Sequence, residues 1–302
     1  MNVSTAIKKS FGIVWRNLIL TQPPILFLLI MSLLLGGFNR FNANSTVFAI
    51  FGSSLIFLGI AFFAGWFLMA KKTIAFELDD SINAEEKAIN SFGLVKHFFP
   101  GVGEYFLSIL GGTIIFTIAS IVASYFAFKI GVNYFGTLDI DFLRKSLELT
   151  NANDMHLYLS SLSEDKLLPI LNWFLYLFVL QTIAQLLIMW WIPALFYKTK
   201  NPLKALLFNF KFLFKHFLAS AGIILFLVVL NIAISLVSSI FGQNSILSLI
   251  SFLLFFFYVT YYVVVIFLYY GQNGESSAKD YINSGDDSDG EKLASGESCE
   301  EN

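Results

Sequence analysis

A polar or ionisable side chain inside an apolar stretch is costly to desolvate, so the few present here are the first candidates for chemistry. Glu104 is the one acid placed beside a long apolar segment, directly after Pro100-Gly101-Val102-Gly103. A carboxylate there could bind a proton or cation, or it could reach headgroups and favour a helix N-terminus. Gln181 and Gln185 lie one turn apart within a second apolar segment, with Asn172 nearer its far end. Asn231, Ser235 and Ser238 form a stripe at helical spacing in a third. Uncharged amides and hydroxyls would bind a polar solute, or hydrogen-bond one helix to the next. The histidines are His97, His156 and His216. His97 and His216 close two similar basic segments, which favours headgroup contact over metal binding. There is no His-x-x-Glu-His, Cys-x-x-Cys pair, phosphate-binding loop or nucleophile elbow. No catalytic residue, metal site or cofactor is therefore expected.

The elements that must carry these residues follow from composition. Of 302 residues, 57% are hydrophobic, 17% aromatic and 13% charged, with 35 Phe. Soluble domains are nearer 45–50% apolar and about 25% charged. This chain could not hide so much apolar surface in water, so it reads as an all-α integral membrane protein. The net charge of -2 argues against nucleic-acid binding, and the single cysteine, Cys299, against a disulfide framework.

A spanning helix needs about 20 mostly apolar residues. Six stretches qualify: about 18–38, 47–70, 105–128, 167–197, 217–241 and 246–270. None alternates apolar and polar residues as a membrane barrel strand does. The first follows Lys8, Lys9 and Arg16 as a signal peptide would, but it runs on to Gly36-Gly37-Phe38-Asn39-Arg40 with no small-residue cleavage pattern. It is read as a retained span. With six crossings, fourteen of the 19 Lys and Arg residues fall on the side of the termini and five on the other. The positive-inside rule then puts both termini in the cytoplasm of a cell (inner) membrane protein. Trp15, Trp66, Trp190 and Trp191 fall near the inner interface and Trp173 near the outer one.

Three segments on the basic side resemble one another, each before an odd-numbered span: Ala6 to Asn17, Ala88 to Phe98 and Ala205 to Phe217. Each runs from a small residue to Ser or Asn before Phe, then to an apolar run closed by a base and Asn or His. They are read as amphipathic helices in the inner interface. Asn201-Pro202 supplies a cap and a first-turn proline, and Asn83-x-x-Glu86 has the form of a capping box. Lys204, Lys211 and Lys215 fall on one face, with Leu203, Leu206, Phe210 and Leu213 expected on the other. These lysines, with His97 and His216, are the candidate contacts to anionic headgroups. The fold is thus six transmembrane helices in three repeated units of interfacial helix plus helical hairpin. Residues 1–270 form this domain.

The layout resembles a family of six-span prokaryotic membrane proteins that includes the membrane domain of some glycerophosphodiester phosphodiesterases. Pro202-x-x-Ala205 through Asn209-Phe210 carries the likeness, with weaker echoes at Ala6 to Phe11 and Ala88 to Phe92. The resemblance implies a fold and a location but no reaction, since no region here could hold the phosphodiesterase barrel.

Ala119, Ala123 and Ala127, with Ser108 and Gly112, and Ala61 with Gly65, are spaced for close helix packing. Pro23-Pro24 and Pro193 should interrupt the first and fourth spans. In the outer loop, short helices are expected at Ile140–Leu149 and at His156 to Leu162. Residues 271–302 hold nine acids against two lysines and are read as a disordered cytoplasmic tail. The tail either solvates the protein or docks a basic cytosolic partner, with Ser288 open to phosphorylation.

Because packing features dominate, the first reading is a non-enzymatic membrane domain in envelope homeostasis or complex assembly, partnered by the lipid bilayer. The alternatives are a small-solute or ion transporter using Glu104, Gln181, Gln185 and Asn231, or a lipid-modifying enzyme at the inner interface. Convergence of these side chains on one polar cavity would separate them.

Overall fold

Twenty apolar residues wound as a helix satisfy every backbone hydrogen bond internally, which is what a bilayer demands. The computed structural model obeys this: it is 93% helix, with no strand among the described residues. It describes residues 1–38, 45–79, 81–82, 91–137, 142, 144–145, 148, 152–241 and 245–274. The Asn83-x-x-Glu86 box, Ala88 to Asn90, most of the Ile140–Leu149 stretch and the chain beyond Gly274 lie outside them. The protein is a multi-pass membrane protein with six helices long and apolar enough to span.

Helix α1 (Val3–Arg16) precedes a 3₁₀ turn (Leu18–Thr21) and α2 (Gln22–Phe38). Pro23 and Pro24 occupy the first turn of α2, where no amide partner is needed, so they start the helix and do not kink it. Next come α3 (Ser45–Leu78), a 3₁₀ helix (Ser91–His97) and α4 (Phe98–Phe135). Beyond the outer loop lie α5 (Ala152–Ser161) and α6 (Glu164–Ile188). The chain closes with α7 (Trp191–Tyr197), α8 (Pro202–Lys215), α9 (Phe217–Phe241) and α10 (Ser245–Gly274).

Two boundaries differ from expectation, and a third follows the interruption expected at Pro193. Helix α3 runs eight residues past Ala70, because Lys71 donates its ammonium to the Phe196 carbonyl and lies over the Tyr197 ring. Lys71 is absorbed by the fold while Lys72 stays exposed, and the pair does not end the helix. Helix α10 likewise continues through Gly271 to Gly274. The fourth span is two helices. Pro193 has no N–H to reach Met189, and the helix breaks at Met189-Trp190, four residues earlier.

The core is concentrated at the end of the bundle where the N-terminal ammonium of Met1 donates to Asn273 Oδ1 at 2.7 Å. Trp66, Met69, Trp190, Leu195, Phe267 and Tyr270 are fully buried there. Toward the opposite end the span helices carry exposed Leu33, Tyr134, Phe174 and Leu236, as lipid-facing surfaces do. Helices α3 and α4 pack closest: a Cβ on Gly101 would lie 2.8 Å from the Ala64 carbonyl oxygen and 2.9 Å from the Gly65 Cα. Gly65 and Gly112 thus pack as their spacing suggested, but Ala119 and Ala123 are exposed. Four-residue spacing puts alanines on one face without saying which face meets a neighbour.

Helices α1 and α8 match position for position. Each has 14 residues, and each is capped by an Asn side chain, Asn2 or Asn201. The buried residues are Ala6, Ser10, Ile13 and Val14 in α1, and Ala205, Asn209, Phe212 and Leu213 in α8. The buried face of α8 is therefore shifted from the expected one: Leu213 is buried and Leu206 and Phe210 are half-buried. Leu203 is exposed, and Asn209 is buried in preference to Leu206 or Phe210.

Candidate functional site

Gln181 and Gln185 project from α6, one turn apart, and Asn231 from α9. They line one cleft of about 230 Å³, joined by Thr182 of α6 and by Tyr258 and Tyr262 of α10. Tyr258 donates its hydroxyl to the Leu227 carbonyl at 3.2 Å, leaving its oxygen free to accept. The walls between these polar groups are apolar: Phe178, Ile224, Leu227, Val228 and Ile232. The cleft is lined by uncharged donors and acceptors only. It can therefore hold a small neutral hydrogen-bonding group and has no side chain to compensate an ion.

The fourth residue of the transport set is elsewhere. Glu104, in the first two turns of α4, is ion-paired with Lys200 at 3.0 Å. Lys200 also lies over the Tyr105 ring, which stacks on Phe196 with centroids 4.0 Å apart. The pair is half exposed and ties α4 to the α7–α8 connection, so the carboxylate already has a cation.

The headgroup candidates divide in two. Lys204, Lys211 and Lys215 project from the exposed face of α8, beside exposed Leu207 and Phe214, as an interfacial helix requires. His97 ends the 3₁₀ helix beside Lys72 and Lys96. His216 is different. Its ring packs on Phe212, 4.5 Å away, and against Tyr269, and its Nε2 is buried with no hydrogen-bond partner among the described residues. Burial first, then the Lys215 charge and the N-terminal ammonium, hold its imidazole below the ordinary value. Among the described residues, no group of three or more His, Cys, Asp or Glu could hold a metal.

Two buried polar positions position α6 and α8. Asn209 donates Nδ2–H to the Leu187 carbonyl at 2.6 Å and accepts the Trp190 backbone N–H at 3.1 Å. It therefore satisfies the groups freed by the α6–α7 break. Trp190 Nε1–H donates to Ser220 Oγ at 2.8 Å. The break places α6, with its glutamines, at a fixed angle to α8 and α9.

Sequence reasoning missed Glu77. Its side chain is 4% exposed; it pairs with Arg16 at 2.7 Å and accepts from Asn17 Nδ2 at 2.7 Å. The missing signal was the length of α3: ended at Ala70, the helix leaves Glu77 in a loop. Tyr258 and Tyr262 were also missed, although their four-residue spacing puts both on one face of α10.

Comparison with family models, with curated proteins and with solved structures returns no match. The functional reading rests on the site itself.

Proposed function

We propose that the protein binds a small uncharged polar solute in the cleft between α6, α9 and α10, as a solute-transporting membrane protein. One observation carries this reading: Gln181, Gln185 and Asn231, far apart in sequence, line the same cavity. An amide moved from water to hydrocarbon without a partner costs about 4–8 kcal/mol. Three such groups around one cavity favour an occupant that hydrogen-bonds, whether water or solute. The ionic pairing of Glu104 argues against proton or cation coupling through that carboxylate. A lipid-modifying enzyme has the least support, because His216 is packed among aromatic rings.

A second reading is the non-enzymatic domain in envelope homeostasis or complex assembly. It is favoured by the exposure of Gln181 and Asn231, which a partner's span could cover with amide hydrogen bonds. We place both termini in the cytoplasm and the protein in the inner membrane, on the distribution of lysine and arginine. The matching caps and buried positions of α1 and α8 support repeated units of interfacial helix plus hairpin. The resemblance to the membrane domain of glycerophosphodiester phosphodiesterases is compatible with that arrangement. The unassigned acidic tail remains a candidate dock for a basic cytosolic partner.

The test is osmotic swelling of proteoliposomes in glycerol and in urea, two small neutral solutes. Wild-type protein should accelerate swelling over empty vesicles, and Gln181→Leu with Asn231→Leu should abolish the gain. Equal rates for wild type and variant would overturn solute transport. Loss of a purified assembly in the same variant would then favour the second reading.

A further inference from the structure

A second cavity, of about 580 Å³, is lined by Lys8, Lys9, Gly12 and Arg16 of α1, Glu77 at the end of α3 and Gln272 at the end of α10. We infer that it is a binding site for a phosphate-bearing anion, supplied by a lipid headgroup or by free phosphate. The inference does not depend on the solute cleft. Only its lipid arm rests on α1 lying at the membrane interface.

Three features make this a built site and not a patch of surface lysines. First, the one carboxylate is spent. Glu77 accepts from Arg16 Nε at 3.0 Å and Nη2 at 2.7 Å through one oxygen, and from Asn17 Nδ2 through the other. Its charge is matched by Arg16, and the two lysines leave the cavity with a net charge of about +2. Second, the guanidinium is held by that buried carboxylate with Nη1 turned toward Gly12, where a Cβ would lie 3.6 Å from it. A pinned guanidinium edge offers its remaining N–H groups in the fixed fork that suits phosphate oxygens. Third, Lys8, Gly12 and Arg16 follow one another at four-residue steps, so they share a face of α1. Glycine at the middle step leaves room for an anion between the ammonium and the guanidinium. The position equivalent to Gly12 in α8 is Lys211, so the otherwise matching helix lacks this opening.

The level also suits a headgroup. The cavity is bounded by Leu78 and Gln272, at the ends of two spanning helices, where a phosphate at the cytoplasmic leaflet would meet basic side chains.

The experiment uses the full-length protein in detergent, with native mass spectrometry for phosphatidylglycerol and phosphatidylcholine and calorimetry for inorganic phosphate. Arg16 also supports Glu77, so the variants are Lys8→Gln with Lys9→Gln, and separately Gly12→Leu, which fills the gap. Both should weaken phosphatidylglycerol binding about tenfold, leave phosphatidylcholine unchanged and leave the melting temperature of lipid-free protein in place. Lys129→Gln with Lys166→Gln, exposed at the opposite ends of α4 and α6, should have no such effect. Parallel loss of inorganic phosphate binding would assign the site to free phosphate, and loss for the lipid alone would assign it to the headgroup. Wild-type binding of both anions by both variants would overturn the proposal.

Discussion

Asn209 of α8 accepts the Trp190 backbone N–H at 3.1 Å across the α6–α7 break, while its Nδ2 donates to the Leu187 carbonyl on the other side. One buried amide thereby satisfies a backbone N–H and a backbone carbonyl on the two sides of the break. The matching position in α1 is Ser10, also buried, but its Oγ has no hydrogen-bond partner among the described residues. The two positions therefore make opposite predictions.

Asn209→Leu leaves a buried N–H and a buried carbonyl unpaired, each costing about 1–3 kcal/mol. It should lower thermal stability clearly. Ser10→Ala removes an unsatisfied hydroxyl and should be neutral or stabilising. Melting of the two variants in the same detergent, followed by tryptophan fluorescence, checks the contrast. Equal losses would refute it.

At the α3–α4 crossing, Gly101→Val would drive a Cβ to 2.8 Å from the Ala64 carbonyl oxygen. Overpacking of this kind costs about 1–3 kcal/mol. Gly103→Val, two residues on, meets nothing within 4 Å and should cost only helix propensity. Comparative melting and expression yield of the two variants measure the difference.

Glu77→Gln keeps the shape but removes the charge that neutralises Arg16. Because Arg16 is largely exposed, solvent screens part of the loss. A decrease of about 1–2 kcal/mol is expected, chiefly from the weakened hydrogen bonds to the buried carboxylate. The effect should shrink in high salt. Urea titration at low and high ionic strength reads both.

His216 supplies a pH dependence of definite sign. Its folded-state value is below the ordinary 6.5, so the unfolded chain takes up a proton first as pH falls. Stability is then constant above about 6.5 and declines as pH drops through the lowered folded value. Burial against Phe212 and Tyr269 opposes the proton first, by desolvation, and the charges of Lys215 and the N-terminal ammonium oppose it by repulsion. His216→Phe should flatten the melting temperature between pH 7.5 and 5. An unchanged slope would assign the acid sensitivity to another group.

Spans were legible because twenty-residue apolar runs have few other physical solutions. The caps at Asn201-Pro202 were legible because capping is local. What sequence could not supply was everything decided by a partner distant along the chain. Lys71 and Lys72 look like a loop until Phe196 and Tyr197 are placed beside Lys71. Glu77 looks like a loop acid until Arg16, 61 residues away, closes on it. Spacing put Gln181 and Gln185 on one face of α6, but only the tertiary fold brings Asn231 to that face and keeps Glu104 from it. The alanine row at Ala119 and Ala123 failed for the same reason in reverse, since both are exposed among the described residues.

The central claim is that the Gln181–Gln185–Asn231 cleft holds water and polar solute within the membrane. Cys299 is the one cysteine, so a Cys299→Ser background admits single probes at chosen depths. A charged, membrane-impermeant thiosulfonate reacts with a thiol only where water lets the thiolate form. In proteoliposomes, Gln185→Cys and Asn231→Cys should be labelled, and Leu225→Cys on the exposed apolar face of α9 should not. Inert thiols at both Gln185 and Asn231 would mean a cleft filled by lipid or protein, and would contradict the account.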